Sequence, residues 1–244
     1  MKKGVVVFTS LALLLAFCVP AVAQPNTRAV ETRIIDNFDN TGDNEWTWNV
    51  QHSKFMAEGF PKIDFFDGQP NSLRALNTSS DEEHKVLGVK TSFNRKGENW
   101  FEIYPEKDGA AYEIPLIGSV TLIDFWMWGA NYYYYIDILV RDADGRVYTL
   151  PAGNLAFDGW KNVIVPVPSY IRQKSRMRSG PKTIMFVGFR IHTDPNEYVD
   201  DFVLFLDQLK FTTNTLSNIY DGYELKDVDF GDSDSSNTES SEGK

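Results

Sequence analysis

Hydrophobic and polar residues alternate with the period of a β-strand along most of the chain. Nine segments are rich in β-branched and aromatic residues, and Gly, Pro, Asn or Asp separates most of them. They span residues 32–38, 84–93, 99–104, 119–128, 132–141, 146–150, 160–166, 183–192 and 202–211. Because helical periodicity is almost absent, the pattern predicts an all-β sandwich or barrel. One helical turn is expected, over 169–178.

Several predicted strands carry large apolar side chains on both faces. Strict alternation places Trp126 and Trp128 on one face of their strand, and Tyr133 and Tyr135 on one face of the next. Aromatic residues at such positions belong to a core, to a subunit interface or to a surface that stacks on sugar rings. We retain these four residues as interface candidates.

Alternation also makes a prediction about segment 183–192. One face would carry Met185, Val187, Phe189 and Ile191, whereas Ile184 and Phe186 would begin the other. A strand covered on both faces fits the middle of a sandwich whose outer face packs against loops or a neighbouring subunit.

Asp207 lies among apolar residues in the last predicted strand. It shares parity with Val203, Phe205, Leu209 and Phe211, so its carboxylate is expected on an apolar face. An unpaired buried carboxylate is costly, so it needs donors, an arginine or a cation. Two interpretations stay open: hydrogen bonds that tie the strand to segment 36–39, or a structural calcium site of the kind found in carbohydrate-binding jelly rolls.

The first 23 residues have the composition of an export signal. A positive start at 1–3 precedes an apolar run at 5–17, and Ala21-Val22-Ala23 predicts cleavage between Ala23 and Gln24. The apolar run is shorter than the roughly 20 residues of a spanning helix, so no membrane anchor is expected in the mature chain. Acylation of Cys18 is the alternative, although Phe17 stands where lipoprotein processing favours a small residue.

The mature chain divides into three parts by composition. The β-sandwich is expected over 24–211, followed by an arm over 212–230. Residues 231–244 are an acidic, Ser-rich tail without hydrophobic residues, which predicts disorder. Loss of Lys2 and Lys3 leaves 22 basic and 34 acidic residues, a net charge of −12. That charge disfavours nucleic acid or anionic lipid as the main partner.

Basic residues are concentrated in one stretch of this acidic chain. No acidic residue occurs between Asp158 and Asp194. The stretch contains the interface candidates Arg172, Lys174, Arg176 and Arg178. It is either a solvated loop or a docking patch for an acidic surface, which a neighbouring subunit or the chain's own tail would supply.

Catalytic motifs are missing from the sequence. It has no nucleophile elbow, no phosphate-binding loop, no dinucleotide-binding glycine pattern and no zinc-type cysteine pattern. The segment 142–145, D-A-D-G, is predicted to be a hairpin turn, because the third acid and the distal Glu of a calcium loop are missing. We therefore expect no enzyme, no cofactor and no small-molecule substrate.

Blocks of sequence in a fixed order carry a resemblance to a known family. They are RIIDNF at 33–38, LGVK at 87–90, NWFEIYP at 99–105, FWMWG at 125–129, YY at 134–135, RD at 141–142, GR at 145–146, GWKN at 159–162, TDP at 193–195, DDF at 200–202, FLDQ at 205–208 and YDG at 220–222. In this order they resemble the outer-layer (sheath) proteins of spirochete periplasmic flagella, the FlaA type. The strand and turn blocks also recur in galactose-binding-like sandwiches, so we expect a jelly-roll-like β-sandwich resembling galactose-binding or carbohydrate-binding-module folds.

The resemblance implies a function without catalysis. It implies export to the periplasm and assembly, with other sheath subunits, on the flagellin core of the periplasmic flagellum. There the chain would contribute to filament shape, stiffness and motility. The alternative that stays open is a periplasmic carbohydrate-binding module on the same sandwich fold.

The N-terminus offers a direct test. We expect the native mature protein to begin at Gln24 and to carry no lipid, because a small-x-small site precedes that residue. Intact-mass measurement of protein from its native cell checks this. A mass that matches acylated Cys18 would contradict it.

Overall fold

Two antiparallel β-sheets face each other in the computed structural model, which describes residues 30–39, 42, 44–75, 84–175 and 183–214. The predicted export signal, the tail and most of the predicted arm lie outside these residues. The strands are β1 Val30–Asp36, β2 Thr47–His52, β3 Lys62–Asp67, β4 Lys85–Thr91, β5 Trp100–Lys107, β6 Ala110–Ala111, β7 Ile114–Leu116, β8 Ser119–Ala130, β9 Tyr134–Arg141, β10 Val147–Asn154, β11 Asp158–Pro166, β12 Ile184–Thr193 and β13 Phe202–Asn214. One short helix, α1, spans Asn71–Arg74.

Each sheet is organised around one long central strand. Sheet A has the order β11-β8-β13-β4-β3, and β1 pairs with the second half of β13. Sheet B has the order β10-β9-β12-β5-β2, with β7 paired to β12 and β6 paired to β5. The all-β sandwich predicted from the sequence is therefore the fold of the described residues.

All nine predicted strands are confirmed, with ends that shift by a few residues. Strands β2, β3, β6 and β7 and the helix α1 were not predicted. The last strand runs to Asn214, three residues beyond the expected end of the sandwich.

The helical turn expected over 169–178 is wrong for its described part, 169–175, which contains turns and bends but no helix. Tertiary hydrogen bonds hold this segment instead. The amide of Gln173 bonds both the N–H and the C=O of Val120, each at 2.7 Å. The Arg172 carbonyl accepts from the Ala143 N–H at 2.8 Å. These bonds replace the local bonds of a helix.

The core lies between the sheets and is rich in aromatic rings. Phe186 and Phe189 of β12 contact each other at 5.3 Å between ring centroids. Phe125 lies 4.9 Å from Phe189, and Trp48 lies 6.2 Å from both β12 rings. A fully buried ring of this size contributes about 1.5–3 kcal/mol to stability through apolar burial alone.

The alternation expected in 183–192 is wrong, because a β-bulge interrupts the register between Phe186 and Gly188. The extra residue shifts the alternation, so that even-numbered residues face the core before the bulge and odd-numbered residues face it afterwards. Ile184 and Phe186, before the bulge, therefore join Phe189 and Ile191, after it, in one buried layer. Met185 and Val187 are not members of this core.

Strand β13 carries a second bulge, between Asp207 and Lys210, with Gln208 at φ 51°. Core residues before it are Phe202, Leu204 and Leu206, and core residues after it are Leu209 and Phe211. The expectation that Asp207 lies on one apolar face with Val203, Phe205, Leu209 and Phe211 is therefore wrong in part. Val203 and Phe205 are half-buried and belong to the other face.

Asp207 is nevertheless buried, with 3% of its surface exposed. Burial raises the pKa of its carboxyl to about 7. The Gln208 N–H, which donates to the carboxylate, lowers that pKa, and the nearby carboxylates of Asp39 and Asp36 raise it further. Lys210 opposes them weakly. Segment 36–39 thus contributes like charge to Asp207 rather than the hydrogen-bond donors that were expected.

The variant Asp207→Asn tests this burial through the pH dependence of stability. The unfolded chain releases this proton near pH 4 and the folded chain only near pH 7. The stability that protonated Asp207 provides is therefore complete below pH 4 and is lost as the pH rises to 7. We expect Asp207→Asn to be more stable than the wild type at pH 8, on the order of 2–4 kcal/mol, with a smaller difference at pH 4.5. Urea denaturation at both values measures it.

The exposed carboxyl of Asp158 provides a control. Asp158→Asn should change the free energy of unfolding by less than about 0.5 kcal/mol at either pH. A chelator should leave the wild-type melting temperature unchanged at pH 8. A variant destabilised at pH 8, together with a chelator-induced fall of several degrees, would instead establish a bound cation at Asp207.

Candidate functional site

A row of aromatic side chains crosses the outer face of sheet A. Trp160 of β11 pairs with Trp128 of β8, which pairs with Phe205 of β13, and Phe205 pairs with Gly88 of β4. The Trp128 and Phe205 rings lie 5.6 Å apart, and Phe66 of β3 lies 5.8 Å from Phe205, both edge to face. We call Trp160, Trp128, Phe205 and Phe66 the aromatic stripe.

Gly88 makes the stripe continuous. An added Cβ at this position would lie 2.6 Å from Phe66 Cε2 and 2.8 Å from Phe205 Cε1, so only glycine leaves room for both rings. Phe66 remains 49% exposed, and two shallow grooves of about 180 and 270 Å³ flank it. An apolar strip of this kind on an outer sheet face is typical of an interaction surface.

The outer face of sheet B has a different composition. Asp137, Arg190, Glu102 and Gln51 are consecutive cross-strand partners on β9, β12, β5 and β2. We call these four side chains the polar row. Their sequence neighbours Ile136, Ile191, Phe101 and Ile103 belong to the core, so the row faces outward.

A second row lies beside the polar row. Tyr135, His192 and Trp100 are also consecutive cross-strand partners, on β9, β12 and β5. The Tyr135 and His192 rings stack at 5.1 Å and 20°, and Tyr133 meets Tyr135 edge to face at 5.7 Å. We call Tyr135, His192 and Trp100 the aromatic row.

Two long contacts join the carboxylates of the polar row to Arg190 and to His192 of the aromatic row. Arg190 Nε lies 3.5 Å from Glu102 Oε1, and His192 Nδ1 lies 3.6 Å from Asp137 Oδ2. Gln51 donates to the other Glu102 oxygen, and the Arg190 guanidinium lies 5.0 Å from the Trp100 ring centroid. Burial raises the pKa of the Asp137 carboxyl, and His192 and Arg190 lower it in part. The two carboxylates are thus shielded from water, and their contacts with Arg190 and His192 are longer than ordinary hydrogen bonds.

The aromatic row, together with Arg190 of the polar row, lines a cleft of about 670 Å³. Its lining includes Trp100, Tyr135, Arg190 and His192. Asn99, almost fully buried, also lines it, and its Oδ1 accepts no hydrogen bond from any described residue. Buried polar oxygens usually have a partner. The cleft is therefore an open, polar and aromatic site with unused acceptor capacity.

The basic candidates form a separate surface. Arg172 and Lys174 lie in segment 167–174, which borders a groove of about 510 Å³ beside the start of β8. Both are exposed, and Arg172 Nε lies 3.2 Å from an Asp144 carboxylate oxygen. Arg176 and Arg178 lie outside the described residues. Arg190, which shares the acid-free stretch, belongs to the polar row instead.

The structure thus separates the interface candidates onto three surfaces. Trp126 and Trp128 share the outer face of sheet A, as predicted, and both are half-buried. Tyr133 and Tyr135 lie at sheet B, where Tyr133 is exposed. The cross-strand partners of these aromatic residues were not identified from the sequence, because no local sequence pattern links residues on different strands.

The D-A-D-G segment is a hairpin turn between β9 and β10, as predicted. Asp142 Oδ1 accepts from the N–H groups of Asp144 and Arg146 at 2.9 and 2.8 Å, and Gly145 has φ 95°. Across the described ranges no group of three or more His, Cys, Asp or Glu side chains could hold a metal ion. No helix in this part of the chain has the length and apolarity to cross a membrane.

Solved structures with a similar fold include carbohydrate-binding modules. A family 11 module from Clostridium thermocellum is 12% identical, with a TM-score of 0.40, over 77% of this chain and 98% of the module. The module TmCBM61, solved with β-1,4-galactotriose, is 13% identical, with a TM-score of 0.38, over 72% of this chain and 91% of the module.

Sequence comparison identifies relatives in two spirochetes. A flagellar filament outer layer-like protein of Brachyspira hyodysenteriae is 26% identical over 194 residues, which cover 80% of this chain and 84% of the relative. The flagellar filament outer layer protein of Treponema pallidum is 32% identical over 127 residues, 48% of this chain and 34% of the relative. The family model for the flagellar filament outer layer protein FlaA matches residues 27–219. The chain therefore belongs to the FlaA family of flagellar filament outer layer proteins.

Proposed function

We propose that this chain is a non-catalytic structural subunit of the outer layer of the periplasmic flagellar filament, where it contributes to filament shape, stiffness and motility. The observation that carries the proposal is the family match, which spans residues 27–219 and hence the whole described sandwich. Its partners in this proposal are the flagellin core filament and other sheath subunits.

The aromatic stripe supports an assembly role. A subunit of an outer layer must contact the layer beneath it, and Trp and Phe side chains on a rigid sheet are well suited to such a contact. The rings are already held edge to face, so little side-chain entropy is lost on binding. In this proposal the stripe packs against the core filament.

The basic segment supports a second contact. The mature chain is expected to carry a net charge of −12, so any copy presents a mostly acidic surface to its neighbours. Exposed Arg172 and Lys174, with Arg176 and Arg178 following in the sequence, are complementary to such a surface. In this proposal the basic segment of one subunit faces an acidic surface of the next.

Purified periplasmic flagella test the proposal as a whole. The chain should be present in a fixed ratio to flagellin, and deletion of its gene should change the shape or the bending stiffness of the filament. Filaments that lack the chain, with the protein found free in the periplasm, would contradict the proposal.

The variant Trp160→Ala tests the aromatic stripe. Tryptophan is enriched among the interface residues whose truncation costs more than about 1 kcal/mol of binding free energy. We expect at least about fivefold weaker rebinding to filaments stripped of their outer layer, measured by co-sedimentation. The matched control is Tyr104→Ala, which removes a half-buried aromatic residue of sheet B outside the aromatic row and should coat filaments normally. Equal binding by both variants would exclude the stripe.

Replacement of the four basic candidates tests the second contact. Exposed charges usually contribute within about 0.5 kcal/mol each to stability, so the variant with Gln at 172, 174, 176 and 178 should fold normally. Its association with filaments should weaken, and added salt should weaken wild-type association in the same way through screening.

A control with the same loss of charge separates this local effect from net charge. It carries Gln in place of four exposed residues elsewhere: Lys54, Lys96, Arg146 and Lys161. The control should keep most of its association with filaments. If both quadruple variants coat filaments with unchanged salt dependence, the segment is a solvated loop.

A further inference from the structure

The outer face of sheet B has a binding chemistry that assembly through sheet A does not use. We propose that the cleft lined by the aromatic row and Arg190, together with the polar row beside it on the same sheet face, binds an uncharged oligosaccharide. Its pyranose rings would lie against Tyr135 and Trp100, and its hydroxyls would bond to Glu102, Asp137 and Arg190. This goes beyond the structural role in the outer layer and does not depend on it.

The aromatic row matches the faces of a sugar ring. A pyranose presents C–H groups on its flat faces, and these pack against aromatic rings with a favourable electrostatic component. Tyr135 is already flanked by His192 on its face and by Tyr133 at its edge, at 5.1 and 5.7 Å. The neighbouring rings fix its orientation, so the platform exists before the ligand arrives.

The polar row matches the hydroxyl groups at the rim of a sugar ring. A carboxylate can accept about four hydrogen bonds. Glu102 receives one from Gln51, Arg190 Nε lies 3.5 Å from Glu102 Oε1, and His192 Nδ1 lies 3.6 Å from Asp137 Oδ2. The side chains of Glu102 and Asp137 are only 14% and 13% exposed. Hydroxyl donors of a ligand that extends from the cleft over the polar row would therefore satisfy acceptors that water reaches poorly.

The charged side chains around the cleft favour an uncharged ligand. The carboxylates of Glu102, Asp137 and the lining residue Glu98 outnumber the Arg190 guanidinium, so a phosphate or a uronate would meet repulsion. A cationic ligand would compete with Arg190, which already lies over the Trp100 ring at 5.0 Å. A neutral polyol avoids both penalties and still uses donors and acceptors.

The dimensions fit a chain of several sugars. The four strands of the polar row are separated by three gaps, about 14 Å in total. The cleft of about 670 Å³ lies on an open sheet face, so a long glycan could bind along the row without threading an end.

Titration calorimetry on the mature protein tests the proposal with defined probes: cellohexaose, N-acetylchitohexaose and mannohexaose. We expect saturable binding of at least one probe, with Kd between about 10 μM and 1 mM. Tyr135→Ala and Glu102→Gln should each weaken it about tenfold or more, whereas Trp160→Ala, on sheet A, should leave it unchanged.

A second measurement guards against loss of fold. Each variant should keep the cooperative thermal unfolding of the wild type, so that lost binding reports the site. No binding of any probe at 10 mM would overturn the proposal, and so would binding that survives both sheet B variants. Because these experiments need no filaments, they are independent of the outcome of the coating tests.

Pull-down distinguishes the two natural sources of such a glycan. Purified cell-wall sacculi and stripped filaments are each incubated with Trp160→Ala, which weakens binding through the aromatic stripe, and with the double variant Trp160→Ala/Tyr135→Ala. Capture that falls in the double variant identifies the source. Equal capture of both proteins by both materials would contradict a glycan site in this cleft.

Discussion

The packing of two phenylalanine rings from one strand into a single core layer is the constraint on which the rest of the sandwich depends. Phe186 and Phe189 are three positions apart, so regular alternation would direct one of them to solvent. The bulge before Gly188 turns both inward, and they contact Trp48 from sheet B and Phe125 from sheet A. A Cβ at Gly188 would lie 2.5 Å from the Ile103 carbonyl oxygen, so only glycine allows β5 to approach. That approach aligns Arg190 with Glu102.

The same constraint leaves two outer faces of unlike chemistry. Inward-facing positions are nearly all apolar, so the charged residues of β5, β9 and β12 must point outward, where they form the polar row. On sheet A the outward positions of β8, β11 and β13 include the aromatic residues Trp128, Trp160 and Phe205. One core layer, about 10 Å thick, separates the two faces. A partner on sheet A therefore leaves the cleft on sheet B accessible.

The parts of the fold and of the site that could be predicted are those whose sequence signal is local. Strand positions and the shared face of Trp126 and Trp128 follow from local alternation, and these predictions are confirmed. The bulges in β12 and β13 cannot be predicted from local alternation, because they depend on contacts across the sandwich. The predictions of which residues face the core were therefore partly wrong in both strands. Strand β2 carried a usable signal, since Trp48 and Val50 alternate with polar residues.

The cleft and the polar row beside it could not be predicted from the sequence. The two rows join residues from four strands that are far apart in sequence, so only the register of sheet B brings Gln51, Glu102, Asp137 and Arg190 together. Each of these residues looks like an ordinary polar position in an exposed strand. The basic stretch shows the opposite case: Lys174 and Arg190 share one acid-free stretch of sequence, yet they lie on different surfaces.

Net charge sets the final requirement for a chain of this family. Copies of an acidic subunit that lie side by side repel one another, and the repulsion is long-ranged when salt is low. An attractive contact must therefore be local and short-ranged. The aromatic stripe provides one by burying apolar surface, and the basic segment provides another by reversing the sign of charge at one place on the subunit. Both lie away from the polar row, where Arg190 offsets part of the negative charge of Glu102 and Asp137.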